Sequence, residues 1–172
     1  TAPKDVILKL LGILTANGGT NRVVEYFGPG TQSLSCTGKA TITNMGAELG
    51  ATGSIFPYDA RMATYLKATD RGELASLADD AIDLVTADEE THEDPARFYE
   101  DVIEIDLTEL EPHVVGPHRP DLARPISEMA AAIEANGYPD QLSAALIGSC
   151  TNSSYEDVSR ASDVAAQAAA HG

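Results

Sequence analysis

The sequence predicts an α/β protein in which short strands alternate with helices. Three observations carry that prediction: an apolar stripe at helical spacing near the start, short β-rich runs bounded by glycine and proline, and a strand-loop-helix order over 142–170. Thr1 is placed to cap, and Pro3 to occupy the first turn of, a helix over 3–16 in which Val6, Ile7, Leu10, Leu11 and Leu14 share a face before Gly18 and Gly19 end it. The run 22–27 reads as a strand closed by Gly28-Pro29-Gly30, a turn and not a phosphate loop because no Gly-Lys-Ser/Thr follows. A helix over 35–49 comes next, weakened by its threonines and glycines.

Residues 54–56 form a short strand stopped by Pro57, and amphipathic helices follow over 59–68 and 72–85. In the second of these, Leu74, Leu77, Ala78, Ala81 and Val85 lie opposite Glu73, Asp80 and Asp83. The acidic stretch 88–95 reads as a surface loop. Over 99–108, Ile103, Ile105 and Leu107 alternate with Glu104, Asp106 and Thr108, the period of a half-buried strand. Pro112, Pro117, Pro120 and Pro125 keep 112–125 extended and make it the candidate domain boundary. Pro125 opens a helix that aligns Ile126, Met129, Ala130 and Ile133 and ends at Asn136-Gly137. The letters LSAALIG at 142–148 read as a buried strand, followed by a tight loop and a final helix.

The 172 residues include 27 acidic and 11 basic ones, a formal net charge of −16. A compact chain of this mass exposes about 8,000 Å², and so acidic a surface repels nucleic-acid phosphates and anionic lipid. No basic patch is segregated, and no run approaches the roughly 18 to 20 apolar residues of a membrane span. Nucleic-acid and membrane partners are therefore not expected, and a soluble, intracellular protein is. Cys36 and Cys150 are too few for a secreted disulfide scaffold, so a reducing compartment is expected. The chain opens at Thr1 without a methionine and closes after an alanine-rich helix, which suggests a piece of something longer.

Cys150 sits in the loop Gly148-Ser149-Cys150-Thr151-Asn152. Ser153 and Glu156 have capping-box spacing, which predicts a helix start just after the cysteine and a positive helix end favouring its thiolate. A buried cysteine acting as a small apolar residue fits the same position. Asn44 and Glu48, four apart, share one face of a helix, where an amide and a carboxylate can orient and deprotonate a hydroxyl. On spacing alone a surface polar pair is the simpler reading. Cys36, near a helix start, reads as a packing residue, and His92, His113, His118 and His171 have no shared metal-ligand spacing.

Residues 1–19 (TAPKDVILKLLGILTANGG), 34–58 (LSCTGKATITNMGAELGATGSIFPY) and 146–157 (LIGSCTNSSYED) closely resemble the aconitase family, its mitochondrial-type branch in particular. The resemblance runs nearly end to end and is weakest at 86–97. It implies isomerisation of citrate to isocitrate through cis-aconitate, in the tricarboxylic acid cycle, with a [4Fe-4S] cluster held by three cysteines. By it Cys150 matches the first cluster cysteine, Glu48 would help move a proton at the substrate hydroxyl or water, and Asn44 would hydrogen-bond near the cluster. The other two cysteines belong to a Cys-x-x-Cys that nothing after Cys150 supplies, and Arg61, Arg119 and Arg124 match no substrate-binding arginine of the family.

The same resemblance makes 1–110 similar to the family's second α/β domain and 111–172 to the beginning of its third, with the remaining domains as partners. The chain alone is then expected to be inactive. A related hydro-lyase of the isopropylmalate or homoaconitate type, or a non-catalytic interaction module of the same fold, are the alternatives. A bacterial cytoplasm or a mitochondrial matrix both fit.

Overall fold

The computed structural model describes residues 2–171, so the cap expected of Thr1 lies outside the described residues. Helix α1 (Pro3–Leu14) forms as its apolar stripe requires, with Val6, Ile7, Leu10 and Leu11 buried. Asp5 secures its first turn: the carboxylate accepts from the Ala2 N–H at 3.1 Å, and the Asp5 N–H returns to the Ala2 carbonyl at 3.0 Å.

Strands β1 (Val23–Glu25) and β2 (Gly53–Ile55) pair in parallel, Val23 opposite Gly53. Between them lie a 3-10 turn at Pro29–Ser33 and helix α2 (Cys36–Asn44), which tightens into a second 3-10 turn at Met45–Leu49. Ser35 caps α2 by accepting from the Gly38 N–H at 3.0 Å. Ile42, Met45 and Leu49 project into the α1 core, and Tyr26 stacks on Phe56 with centroids 4.6 Å apart. The buried Lys39 ammonium pairs with Asp59, which also caps α3 (Ala60–Ala68) through the Arg61 and Met62 N–H groups.

Several expectations need correction. The helix foreseen over 72–85 breaks at Ala81 (φ −111°, ψ 28°) into α4 (Gly72–Asp80) and α5 (Ile82–Val85). Asp79 and Asp80 crowd the carbonyl end of α4, where negative charge opposes the helix dipole. The acidic loop contains two short helices, α6 (Glu89–Glu93) and α7 (Pro95–Phe98). Glu89 and Glu90 favour the first by their place at its N-terminus, Pro95 starts the second, and Phe27 stacks between His92 and Tyr99 to hold them.

Residues 99–108 form no strand: 101–106 have no regular structure and 107–109 turn. Ile105 and Leu107 pack on the core as the alternation requires, while Asp106 accepts from the Thr108 N–H at 2.8 Å and holds that turn.

The proline-rich segment is an antiparallel hairpin, β3 (His113–Val115) with β4 (Ala123–Pro125), lying on α1. Asp5 Oδ1 accepts from the His113 N–H at 3.0 Å. A Cβ on Gly12 would stand 2.9 Å from that of Ala123, so only glycine admits this approach of hairpin to helix. A 3-10 turn at Ile126–Glu128 leads into α8 (Met129–Asn136), ended by Gly137 in the left-handed conformation as expected.

The buried strand expected at 142–148 is absent: the segment is irregular, with Leu142 and Leu146 85% and 90% exposed. An apolar run becomes a strand only against a sheet that takes up its hydrogen bonds, and none lies beside it among the described residues. Helix α9 (Tyr155–His171) closes the chain. The accessible surface is 11,407 Å², well above the compact value of about 8,000 Å², and among the described residues none beyond Ala75 is fully buried.

Candidate functional site

Asn44 ends α2 and Glu48 lies in the 3-10 turn that continues it, both exposed. Because a 3-10 turn has three residues per turn, the shared face that an α-helix gives positions four apart does not carry through from Asn44 to Glu48. Gly46, between them, is closely approached by Ser54 of β2, whose Oγ leaves no room for a Cβ on Gly46. That Oγ and the Tyr26 hydroxyl are both buried, and burial pushes the Tyr26 phenol up to about 12 against an opposing interaction with the Ser54 hydroxyl.

Cys150 is exposed in the loop before α9, next to Ser149, which takes a left-handed backbone angle (φ 81°) uncommon for a non-glycine residue. The expected helix start is displaced. Helix α9 begins at Tyr155, and its capping pair is Ser154 with Asp157: the Asp157 carboxylate accepts from the Ser154 N–H at 3.2 Å, and Ser154 Oγ accepts from the Asp157 N–H at 3.2 Å. Ser153 turns back to the Ser149 carbonyl instead. Cys150 therefore lies five positions before the first residue of α9.

The loop is docked on the first part of the chain. Thr151 Oγ1 donates to Asn44 Oδ1 at 2.9 Å, and Thr41 Oγ1 donates to the Thr151 carbonyl at 3.2 Å. Lys4 Nζ donates to Asn152 Oδ1 at 3.0 Å. Glu156, released from any capping duty, accepts from both Ser35 Oγ and Thr37 Oγ1 at 2.6 Å, and these bonds hold its carboxyl below the usual range. Cys150 and Asn44 are thus brought together through the residue between them in the clasp, whereas no bond ties Glu48 to either. The Glu156 clasp was not read from sequence, because the Ser153–Glu156 and Ser154–Asp157 spacings overlap and only packing chooses between them.

Cys36 opens α2, half-buried, and burial pushes its thiol up, the opposite of activation. Among the described residues no group of three His, Cys, Asp or Glu side chains could hold a metal ion. An apolar groove of about 670 Å³ runs between β1 and 101–108, lined by Leu10, Val24, Phe27, Val102 and Ile105, away from Asn44, Glu48 and Cys150. No described helix is long and apolar enough to cross a membrane.

Comparison with known proteins bears on this geometry. A sequence model described as the aconitase family (aconitate hydratase) matches residues 1–172. The chain is 56% identical over 168 residues to the mitochondrial aconitate hydratase of Schizosaccharomyces pombe, covering 98% of this chain and 20% of that protein. It is 57% identical over 171 residues to that of Gracilaria gracilis, covering 99% and 21%, and 51% identical over 173 residues to that of Saccharomyces cerevisiae, covering 100% and 22%. The chain spans about a fifth of the length of these curated relatives.

Proposed function

The chain belongs to the aconitase family, and on that premise we propose that it is a segment of an aconitate hydratase, a hydro-lyase interconverting citrate and isocitrate through cis-aconitate. The observation that carries this reading is the clasp of the cysteine loop on α2. Thr151, the residue after Cys150, is bonded to Asn44, and Cys150 and Asn44 are two residues that the family resemblance assigns to one cluster site although 106 positions separate them.

In this reading Cys150 would supply one thiolate to a [4Fe-4S] cluster, Asn44 would hydrogen-bond beside it, and Glu48 would take up or return a proton at the substrate hydroxyl. The cluster supplies Lewis acidity toward that hydroxyl and a carboxylate. The described residues fit one ligand position of it and no more, since Cys150 has no second ligand group converging on it. The remaining ligands, and the cations that neutralise a tricarboxylate, come from the rest of the protein, and the isolated chain is inactive.

Residues 1–110 then belong to the family's second domain and 111–172 to the opening of its third. What supports this division is that, among the described residues, Ile105, Leu107 and Leu110 are the last that pack against the main core. The exposure of Leu142, Leu146 and Tyr155 favours a segment that packs on further domains over a self-sufficient interaction module. The relatives named above are mitochondrial proteins, which favours a mitochondrial over a cytoplasmic location.

The test is Glu48→Gln in the longer polypeptide that carries this segment, reconstituted with iron and sulfide. Loss of about 10²- to 10⁴-fold in kcat for cis-aconitate formation from citrate, with iron content retained, is expected of a proton-transfer group. An unchanged kcat removes Glu48 from the chemistry.

A further inference from the structure

We propose that Thr151 is a positioning residue that fixes Cys150 against α2, an inference that rests on the reading of Cys150 as a cluster ligand. Its two polar groups engage two residues of α2 at once. The hydroxyl donates to Asn44 Oδ1 at 2.9 Å, and the carbonyl accepts from Thr41 Oγ1 at 3.2 Å. Thr41 is buried, so the second anchor is held by the core rather than by a mobile surface chain. The two anchors lie three positions apart, about one helical turn, so they fix both the height of the loop along α2 and its rotation about the helix.

Cys150 has no comparable hold of its own. Among the described residues its Sγ contacts the Thr151 hydroxyl at 3.8 Å, and its side chain is exposed. The neighbouring residues leave it little freedom: Ser149 is in the left-handed region and Asn152 is tied to Lys4 at 3.0 Å. The orientation of the thiol is therefore set through Thr151. One threonine thus links the sulfur to the amide of Asn44, the group next to which that sulfur has to stand.

The experiment is alkylation of the two thiols of the 172-residue chain at one fixed pH, followed residue by residue by mass spectrometry, with Cys36 as internal reference. Thr151→Val keeps the shape and removes the hydroxyl; Thr151→Ser keeps the hydroxyl. Thr151→Val is expected to change the Cys150 rate by about threefold or more while Cys36 is unaffected, and Thr151→Ser to restore it. Asn44→Ala added to Thr151→Val is expected to change nothing further, because both remove the same bond. An unchanged Cys150 rate in Thr151→Val, a parallel change at Cys36, or full additivity with Asn44→Ala overturns the proposal. The assay contains no iron, so its failure is separate from failure of the cluster reading, which shows instead as iron retained by Cys150→Ala.

Discussion

Glu156 accepts a hydrogen bond from Ser35 Oγ at 2.6 Å, joining the first turn of the last helix to the cap of α2 across 121 residues. Thr37 Oγ1 bonds the same carboxylate oxygen at 2.6 Å, and Arg160 bonds the other at 2.7 Å. The contact helps dock the cysteine loop, because the loop lies just before Glu156 in the chain and is itself bonded to Lys4, Thr41 and Asn44.

A pH dependence follows. The hydroxyl bonds hold the Glu156 carboxyl below its ordinary range, so the docked state binds its proton less readily than the open one. The stabilisation is fully present above the ordinary glutamate range, about pH 4.3, and is lost as pH falls through the lowered folded value. Protection factors of the α9 amides, with the intrinsic pH dependence of exchange divided out, should be flat from neutral pH down to about 5 and then fall. Glu156→Gln should be looser throughout and show no such step, whereas a step of equal size in that variant would refute the assignment.

Gly46 provides a packing test. A Cβ there would lie 2.2 Å from Ser54 Oγ and 3.3 Å from Ser54 Cβ, so Gly46→Ala should cost about 1 to 3 kcal/mol in urea unfolding. Ser54→Ala removes a buried hydroxyl that interacts weakly with the Tyr26 phenol, and should cost no more than about 1 kcal/mol alone. Combined, it should recover much of the Gly46→Ala loss. Additive losses would mean that the two residues do not meet.

The Lys39 and Asp59 pair is asymmetric: Lys39 is 3% exposed and Asp59 23%. Asp59→Ala strands a buried ammonium over the Phe56 ring and also removes the α3 cap, a loss of about 3 to 5 kcal/mol. Lys39→Met leaves a carboxylate that can still reach water and still cap, so its loss should be smaller. Chemical denaturation of both variants decides the order, and a larger loss for Lys39→Met would show that the ammonium is not the stranded partner.

What was legible in the sequence was local. The stripe of Val6, Ile7, Leu10 and Leu11 specifies α1 unaided, and Ser35 marks the start of α2. The errors arose where a pattern needs a distant partner. Ile105 and Leu107 have strand alternation and do pack inward, but alternation reports burial and not a hydrogen-bonded neighbour. Leu146 and Ile147 read as buried because they are apolar, yet in this chain nothing covers them. At the site, Asn44, Glu48 and Cys150 were nameable from motifs. The Thr151 bond and the Glu156 clasp were not, since each joins residues more than 100 positions apart.

In the proposed reading Cys150 ligates the cluster and Cys36 does not. The most direct measurement is iron bound per chain in the longer polypeptide carrying this segment, after anaerobic reconstitution, for the unmodified protein, Cys150→Ala and Cys36→Ala. Retention of the [4Fe-4S] signal in Cys36→Ala and its loss in Cys150→Ala is the expected result. Equal iron in all three would contradict the ligand role and with it the assignment of the clasped loop as the cluster site.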